Sequence, residues 1–300
     1  MRKMARRVLF AVLMVPAGPA VFAQVVTSDS VAALKAADTP AVRTLPRIVP
    51  QQKVRIQKPK PITREISFGF RMQTDGWSLF AERGVIKTDE GGERANMFYN
   101  VRLLNAEFAE HKDAKEYKTS TSSDPNGTSK TRPIIFGKIN NFYALKLGLG
   151  YRRLIAGKPE PNTVSIHWVY NGGLSLGLLK PYYISAFVPD PNSGSVREQT
   201  IKYTDKTAPY FLDAQNNSII GGASFMNGLG EIQLVPGVHA RTGLHFDFAA
   251  GKKGKLAVET GLTGELYTKA IQLMAGQKAA SYFAGLYASF QVGKRYAGKQ

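Results

Sequence analysis

The chain has 300 residues, no cysteine and a formal charge of +18. The missing thiols exclude disulfides, thiolate metal sites and a lipid-modified N-terminal cysteine. Beyond the N-terminal segment no uninterrupted apolar stretch reaches the roughly eighteen residues of a membrane-spanning helix, so a membrane protein of this sequence must be a closed barrel whose backbone groups pair internally.

Residues 1–23 read as a bacterial secretory signal. Arg2, Lys3, Arg6 and Arg7 supply a positive start, Val8 to Val15 a short apolar run, and Val21-Phe22-Ala23 a small-x-small cleavage site before Gln24. Those four cations leave the mature chain near +14. Residues 24–64 form a basic tail with eight Lys and Arg residues against Asp29 and Asp38, interrupted by Pro40, Pro46, Pro50, Pro59 and Pro61. Without periodicity, this stretch is expected to be extended or disordered. It is either a solvated spacer or, through residues 24–62, a tether to an acidic periplasmic partner. Export also argues against nucleic acid as the reason for the basic charge.

Eight strands are predicted from period-two alternation. The first, Glu65 to Gln73, sets Ile66, Phe68, Phe70 and Met72 against Ser67, Gly69 and Arg71; Thr74-Asp75-Gly76 then turns the chain. The second runs from Trp77 to about Ile86, with Lys87–Arg94 as a turn. The third covers Asn96 to about Ala106, with Met97, Tyr99, Val101 and Leu103 on the apolar face and Asn100 and Arg102 on the polar one. A polar loop spans about 107–140 and holds Asp124-Pro125-Asn126-Gly127. The fourth strand, Asn141 to Leu154, places Lys146, Gly148, Gly150 and Arg152 opposite Tyr143, Leu145, Leu147, Leu149 and Tyr151.

After a turn at Ala156–Pro161, the fifth strand, Thr163 to about Val188, carries His167 on its polar face and two glycines, Gly172-Gly173, where it can bend. The longest loop, about 189–236, has room for a short helix between Ser218 and Leu229. The sixth strand starts near Val238 and sets His239, Arg241, His245 and Asp247 opposite Ala240, Leu244, Phe246 and Phe248. Gly251–Gly254 turns into the seventh, with Glu259 and Glu265 opposite Val258, Leu262 and Leu266. A loop at 270–279 leads to the eighth, Ser281 to Gly293, the cleanest alternation in the chain.

Counted from a periplasmic start, the periplasmic connections are short and the outside ones include the two longest, and the strand number is even. This is the pattern of outer-membrane barrels. A soluble lipocalin-like barrel would turn the apolar face inward. The loop asymmetry, the scarcity of charge on the apolar faces and the glycines on the polar faces all oppose it. The expected fold is therefore all-β: an eight-stranded antiparallel up-and-down transmembrane barrel over residues 65–300, with a disordered N-terminal tail and contact with outer-membrane lipids.

The polar faces define a candidate lumen network: Arg71, Arg102, Lys146, Arg152, His167, His239, Arg241, His245, Asp247, Glu259 and Glu265, together with Glu65 and Glu82. An eight-stranded barrel is just wide enough for side chains to fill, and buried charges must pair. The network is thus expected to plug the barrel, with a gated path as its functional alternative and Arg241, Asp247, Glu259 and Glu265 as the coupled cluster. Gly173-Leu174-Ser175-Leu176-Gly177 matches a nucleophile-elbow spacing, but that motif needs a strand-turn-helix and Pro181 with a strand-like run follows instead. Ser165 and His167 share a face, which keeps a lipid-modifying enzyme as a third reading. No phosphate loop, dinucleotide fingerprint or zinc spacing occurs, so no cofactor or metal is expected.

The run Phe136-Gly137-Lys138-Ile139-Asn140-Asn141-Phe142-Tyr143, with Leu145–Arg153, Gly173–Gly177 and Pro181-Tyr182-Tyr183, is similar to small outer-membrane β-barrel proteins of the Bacteroidota, over about residues 65–295. The resemblance implies fold and location and carries no catalytic residues. Many such barrels end on an aromatic residue; this chain continues past Tyr296 to Gln300, which places the insertion signal around Tyr287 to Tyr296. The functional expectation is a structural, anchoring or accessory role, with a periplasmic partner on the tail and a surface partner on the outer loops.

Overall fold

The computed structural model describes residues 63–86, 100–120, 132–157, 163–190, 194–213, 218–248 and 253–297. The secretory signal, the tail to residue 62, the Lys87–Arg94 turn, residues 96–99 of the third predicted strand, Asp124–Gly127, residues 158–162 and Gly251-Lys252 lie outside them.

The elements in chain order are β1 (Arg64–Gln73), β2 (Gly76–Ile86), β3 (Asn100–His111), β4 (Lys118–Thr119), β5 (Ile134–Ile135), β6 (Asn140–Ala156), β7 (Val164–Pro181), β8 (Tyr183–Pro189), β9 (Val196–Lys202), α1 (Ala208–Leu212), β10 (Ile219–Gly222), β11 (Gln233–Phe248), β12 (Gly254–Ile271) and β13 (Ala280–Tyr296). Eight of them, β1, β2, β3, β6, β7, β11, β12 and β13, close into one antiparallel barrel in which sequential strands are neighbours. Closure is made by β1 against β13, from Arg64 opposite Tyr296 to Gln73 opposite Tyr287. It removes the open edges that lipid could not satisfy.

The register fixes the barrel's dimensions. From Arg64 the partners run through Val85, Arg102, Tyr151, Tyr170, Thr242, Leu262 and Leu286. The Leu286 carbonyl then accepts from the Thr74 amide at 3.0 Å. One circuit therefore returns to β1 displaced by ten residues, from 64 to 74. Eight strands with that stagger tilt by about 40° and set a backbone cylinder of roughly 8 Å radius. Little remains inside once side chains point inward.

Polarity is inverted relative to a soluble protein. Outward residues are apolar and open, with Met72 64% and Leu174 72% exposed, whereas Arg71 and Arg152 point inward at 1% and 2%. Water on the outside would face a continuous apolar band, so the lipocalin-like alternative falls and the barrel spans a membrane. Aromatic rows mark both ends of the band. Phe70, Trp77, Phe108 and Tyr143 form successive ring contacts at 6.3, 6.3 and 5.8 Å. At the other end Tyr151, Tyr170 and Trp168 do the same at 5.6 and 5.9 Å. The eight residue steps from Tyr143 to Tyr151 cover roughly 20 Å along the axis at this tilt, close to an outer-membrane hydrocarbon band.

The chain departs from expectation in four places. β3 continues to His111, so the start of the predicted 107–140 loop is barrel wall. The phase of that strand is also opposite: Val101, Leu103, Asn105 and Glu107 are buried inside, and Arg102 faces out. The fifth strand is interrupted at Tyr182; β7 belongs to the barrel, and β8 leaves it for a separate sheet in the order β10-β8-β9. The 189–236 segment is structured: it holds β9, β10 and α1, its helix lies at Ala208–Leu212, and the 218–229 region contributes a strand at Ile219–Gly222. β11 begins at Gln233, within that predicted loop.

These segments form a cap over the barrel end opposite Arg64 and Tyr296, the terminal end of the barrel. Ile134, Ile184, Phe211 and Ile219 make its apolar core, with Tyr182 and Ile201 packed against it. The connections are tied together by backbone bonds from Gly137 to Phe211 O (2.7 Å), Ile139 to Leu273 O (2.8 Å) and Gly222 to Arg132 O (3.1 Å). Lys138 and Glu116 add a buried ion pair at 2.6 Å. On the cap surface the Lys202 ammonium and the Tyr183 hydroxyl both donate to Glu231, at 2.5 and 2.6 Å. These two donors hold the Glu231 carboxyl below its ordinary range.

Candidate functional site

Inward positions of the eight strands bring six carboxylates (Glu65, Glu82, Glu107, Asp247, Glu259, Glu265) together with six cations (Arg71, Lys146, Arg152, Arg241, Lys255, Arg295), all buried. Neutrality in number reflects what the low-dielectric interior demands, since an unpaired ion there costs several kcal/mol. The contacts form three layers along the axis.

Nearest the termini, Glu65 is the hub. It pairs with Arg152, with Lys255 at 3.1 Å and with Arg295 at 3.7 Å, and Arg295 also binds Asp247. In the middle, Arg241 bonds Glu259 at 2.6 Å and reaches Glu82 on the facing wall. Glu259 further accepts from the Tyr287 hydroxyl at 2.8 Å and lies 3.0 Å from His245 Nδ1. The Arg152 guanidinium stands 3.3 Å from His245 Nε2. Arginine can only donate, so Nε2 accepts and the ring proton sits on Nδ1 facing Glu259. Nearest the cap, Glu107 joins Arg71 and Lys146, and Lys146 joins Glu265. His111 bridges Asp75 at 2.8 Å and Glu265 at 3.2 Å.

An apolar plug closes the capped end, and a second apolar cluster lies beside the charged layer at the other. Toward the cap, Phe142, Tyr267, Leu273 and Met274 share one cluster, with Phe283 stacked on Phe142 at 5.4 Å. Gly177 makes the space for this plug: a Cβ there would lie 2.6 Å from the Phe142 ring. Toward the termini, Ile86, Val101, Leu103 and Val169 form a second cluster. Beside it, Glu65, Arg152, His167 and Asp247 line a cavity of about 10 Å³, room for about one water.

Of the residues singled out from sequence, Arg71, Lys146, Arg152, His167, His239, Arg241, His245, Asp247, Glu259 and Glu265 lie in this lumen. Arg102 does not; it is on the exterior. The expected single cluster of Arg241, Asp247, Glu259 and Glu265 is divided. Arg241 and Glu259 are partners, but Asp247 belongs to Arg295 and Glu265 to Lys146 and His111. Sequence reasoning misses Glu107, His111, Lys255 and Arg295. The alternation Asn105, Glu107, Ala109, His111 against Leu104, Ala106, Phe108 is the signal for the first two.

Ser175, the central serine of the glycine-flanked motif, lies 3.0 Å from His239 Nδ1. It sits within a continuous strand rather than at a strand-to-helix turn, so the elbow geometry is absent there. Both side chains face the lumen, separated from lipid by the barrel wall. Ser165 and His167 are likewise inside. Among the described residues no group of His, Asp and Glu has a metal-holding arrangement.

No family model matches the chain, and no curated protein does. Solved structures to which it is similar include the N-terminal β-barrel domain of Pseudomonas aeruginosa OprF, at 10% identity over 79% of this chain and 99% of that one, TM-score 0.31. Neisserial surface protein A matches at 8% identity over 79% and 96%, TM-score 0.31. A major outer membrane protein from Thermus thermophilus matches at 10% identity over 78% and 98%, TM-score 0.32. With overlap this loose, the barrel assignment rests on the strand register itself.

Proposed function

We propose that the protein is an outer-membrane barrel with a structural, anchoring or accessory role, of the kind found among the Bacteroidota. The observation that carries this reading is a lumen filled by paired charges beneath an apolar plug at the capped end. Opening a conduit would have to separate several buried ion pairs and displace an aromatic plug at once. That opposes the narrow-channel alternative, and the same seal denies a substrate access to the lumen serines and histidines. What remains for contact is outside: the cap, the lipid-facing wall and the tail.

In this reading the termini face the periplasm and the cap faces outward, since short turns mark the periplasmic side of such barrels. Residues 1–23 direct export, the tail up to residue 62 meets a periplasmic partner, and the cap meets a surface partner. Heat-modifiable gel mobility in an outer-membrane fraction tests the placement; a boiled-unboiled shift is expected. Deleting residues 24–62 should leave that shift intact and lose a co-purifying partner. Step conductance of the intact protein in planar bilayers would replace this reading with the channel.

A further inference from the structure

The exterior wall is not uniform. Around the terminal end, five contiguous strands each carry one outward cation: Lys294 on β13, Arg64 on β1, Arg83 on β2, Arg102 on β3 and Arg153 on β6. The other three strands show only apolar outward residues there, such as Val164 and Trp168 on β7, Phe246 and Phe248 on β11, and Leu256 and Val258 on β12. The register places the five cations close in height. Val85 faces Arg64 and Arg102 in turn; Arg83 lies two residues to one side and Arg153 two beyond Tyr151, the partner of Arg102. With about 3.3 Å per residue and a tilt near 40°, all five fall within roughly 8 Å along the axis. Unlike the lumen cations, none has an ion-pair partner among the described residues.

A second feature lies on the same side. Ala81 and Ala106 are register partners, and their small side chains leave a notch in a wall of large ones. The notch opens into a groove of about 640 Å³ flanked by Phe68, Leu79, Phe108 and Leu147. Arg83 is two residues from Ala81 on the same strand face, so the cationic patch sits at the foot of the groove. A generic interfacial belt would encircle the barrel; among the described residues of the eight strands, outward cations at this end are confined to the side that has the groove.

We propose that this face holds one anionic glycerophospholipid of the periplasmic leaflet, with its phosphate between Arg83 and Arg102 and an acyl chain rising over Ala81 and Ala106. Guanidinium groups suit phosphate because they donate in a planar fork, and clustered cations beside a membrane segment select anionic headgroups. The choice of leaflet rests on the orientation proposed above.

The test uses the full chain extracted in detergent, titrated with phosphatidylglycerol or phosphatidylcholine and read by native mass spectrometry. At least tenfold tighter retention of phosphatidylglycerol is expected. Arg83→Gln with Arg102→Gln should abolish the preference. Ala81→Leu with Ala106→Leu should weaken phosphatidylglycerol binding severalfold, with heat-modifiable mobility retained in both doubles. Lys269→Gln, on the exterior at the capped end, should change nothing. Equal retention of the two lipids, a preference surviving the arginine double variant, phosphatidylglycerol binding unchanged in the alanine double variant, or tighter binding of lipid A than of phosphatidylglycerol would overturn the proposal. Orientation is read separately: Tyr117→Cys, the sole thiol, should react with an impermeant maleimide on whole cells. If it does not, the orientation fails while the lipid preference is still decided in detergent.

Discussion

Arg241 and Glu82 join opposite walls of the barrel. They are 159 positions apart in sequence, and β11 and β2 stand four strands from each other whichever way the ring is followed. The same guanidinium binds Glu259 on the neighbouring strand β12. One side chain therefore braces three strands across the lumen's full width.

Removing one carboxylate from that brace leaves a buried cation short of a partner. Glu259→Gln also weakens contacts to His245 and Tyr287. We expect a loss of about 3 kcal/mol, measured as a lower temperature for loss of the fast-migrating band. Glu110→Gln, partly exposed on the exterior beside Trp77, should shift it by about 0.5 kcal/mol at most.

The two arginines of the β3–β6 region should behave oppositely. Arg102 is exterior, and Arg102→Gln in zwitterionic detergent should leave stability within about 0.5 kcal/mol. Arg152 is interior and paired with Glu65, so Arg152→Gln should cost about 3 kcal/mol. Denaturant unfolding followed by tryptophan fluorescence decides it, and equal effects would place both on one face.

The apolar plug should be a stability element as well as a seal. Phe142→Ala removes a ring packed on Tyr267 at 5.0 Å and Phe283 at 5.4 Å and should cost about 3–5 kcal/mol. Planar-bilayer recordings of that variant should still show no steady conductance, because the charged layers beneath remain paired.

The cap should open without the barrel. Phe211→Ala empties the centre of the cap core, so limited proteolysis should cut within residues 182–232 while the gel shift persists. Acid should act in the same direction. A carboxyl whose folded pKa is lowered contributes stability above its ordinary pKa and loses it as pH falls through the lowered value. Cleavage should therefore increase as pH drops through the carboxylate range, and Glu231→Gln should remove that dependence.

The barrel was legible in the sequence wherever one face met lipid, because alternation of large apolar with small or charged residues reports two different environments directly. β1, β6, β12 and β13 read correctly for that reason. β3 did not: Val101 and Leu103 are apolar yet face inward, where they pack in an apolar cluster beside the Glu65 layer, and their neighbour Arg102 is polar yet faces out. Hydropathy cannot distinguish an apolar residue in lipid from one in a lumen plug. The break at Tyr182 was likewise invisible, since the strand pattern of β7 continues into β8 although only β7 is barrel wall.

Sequence by itself determined that the lumen is polar and charged, that an even number of strands closes it, and that its charges must pair. Only tertiary structure decided who pairs with whom. The stagger of ten residues sets which inward positions meet across the ring, so Arg241 reaches Glu82 and Asp247 falls to Arg295. Stagger is a property of the closed sheet as a whole. It leaves no mark on any single strand's alternation.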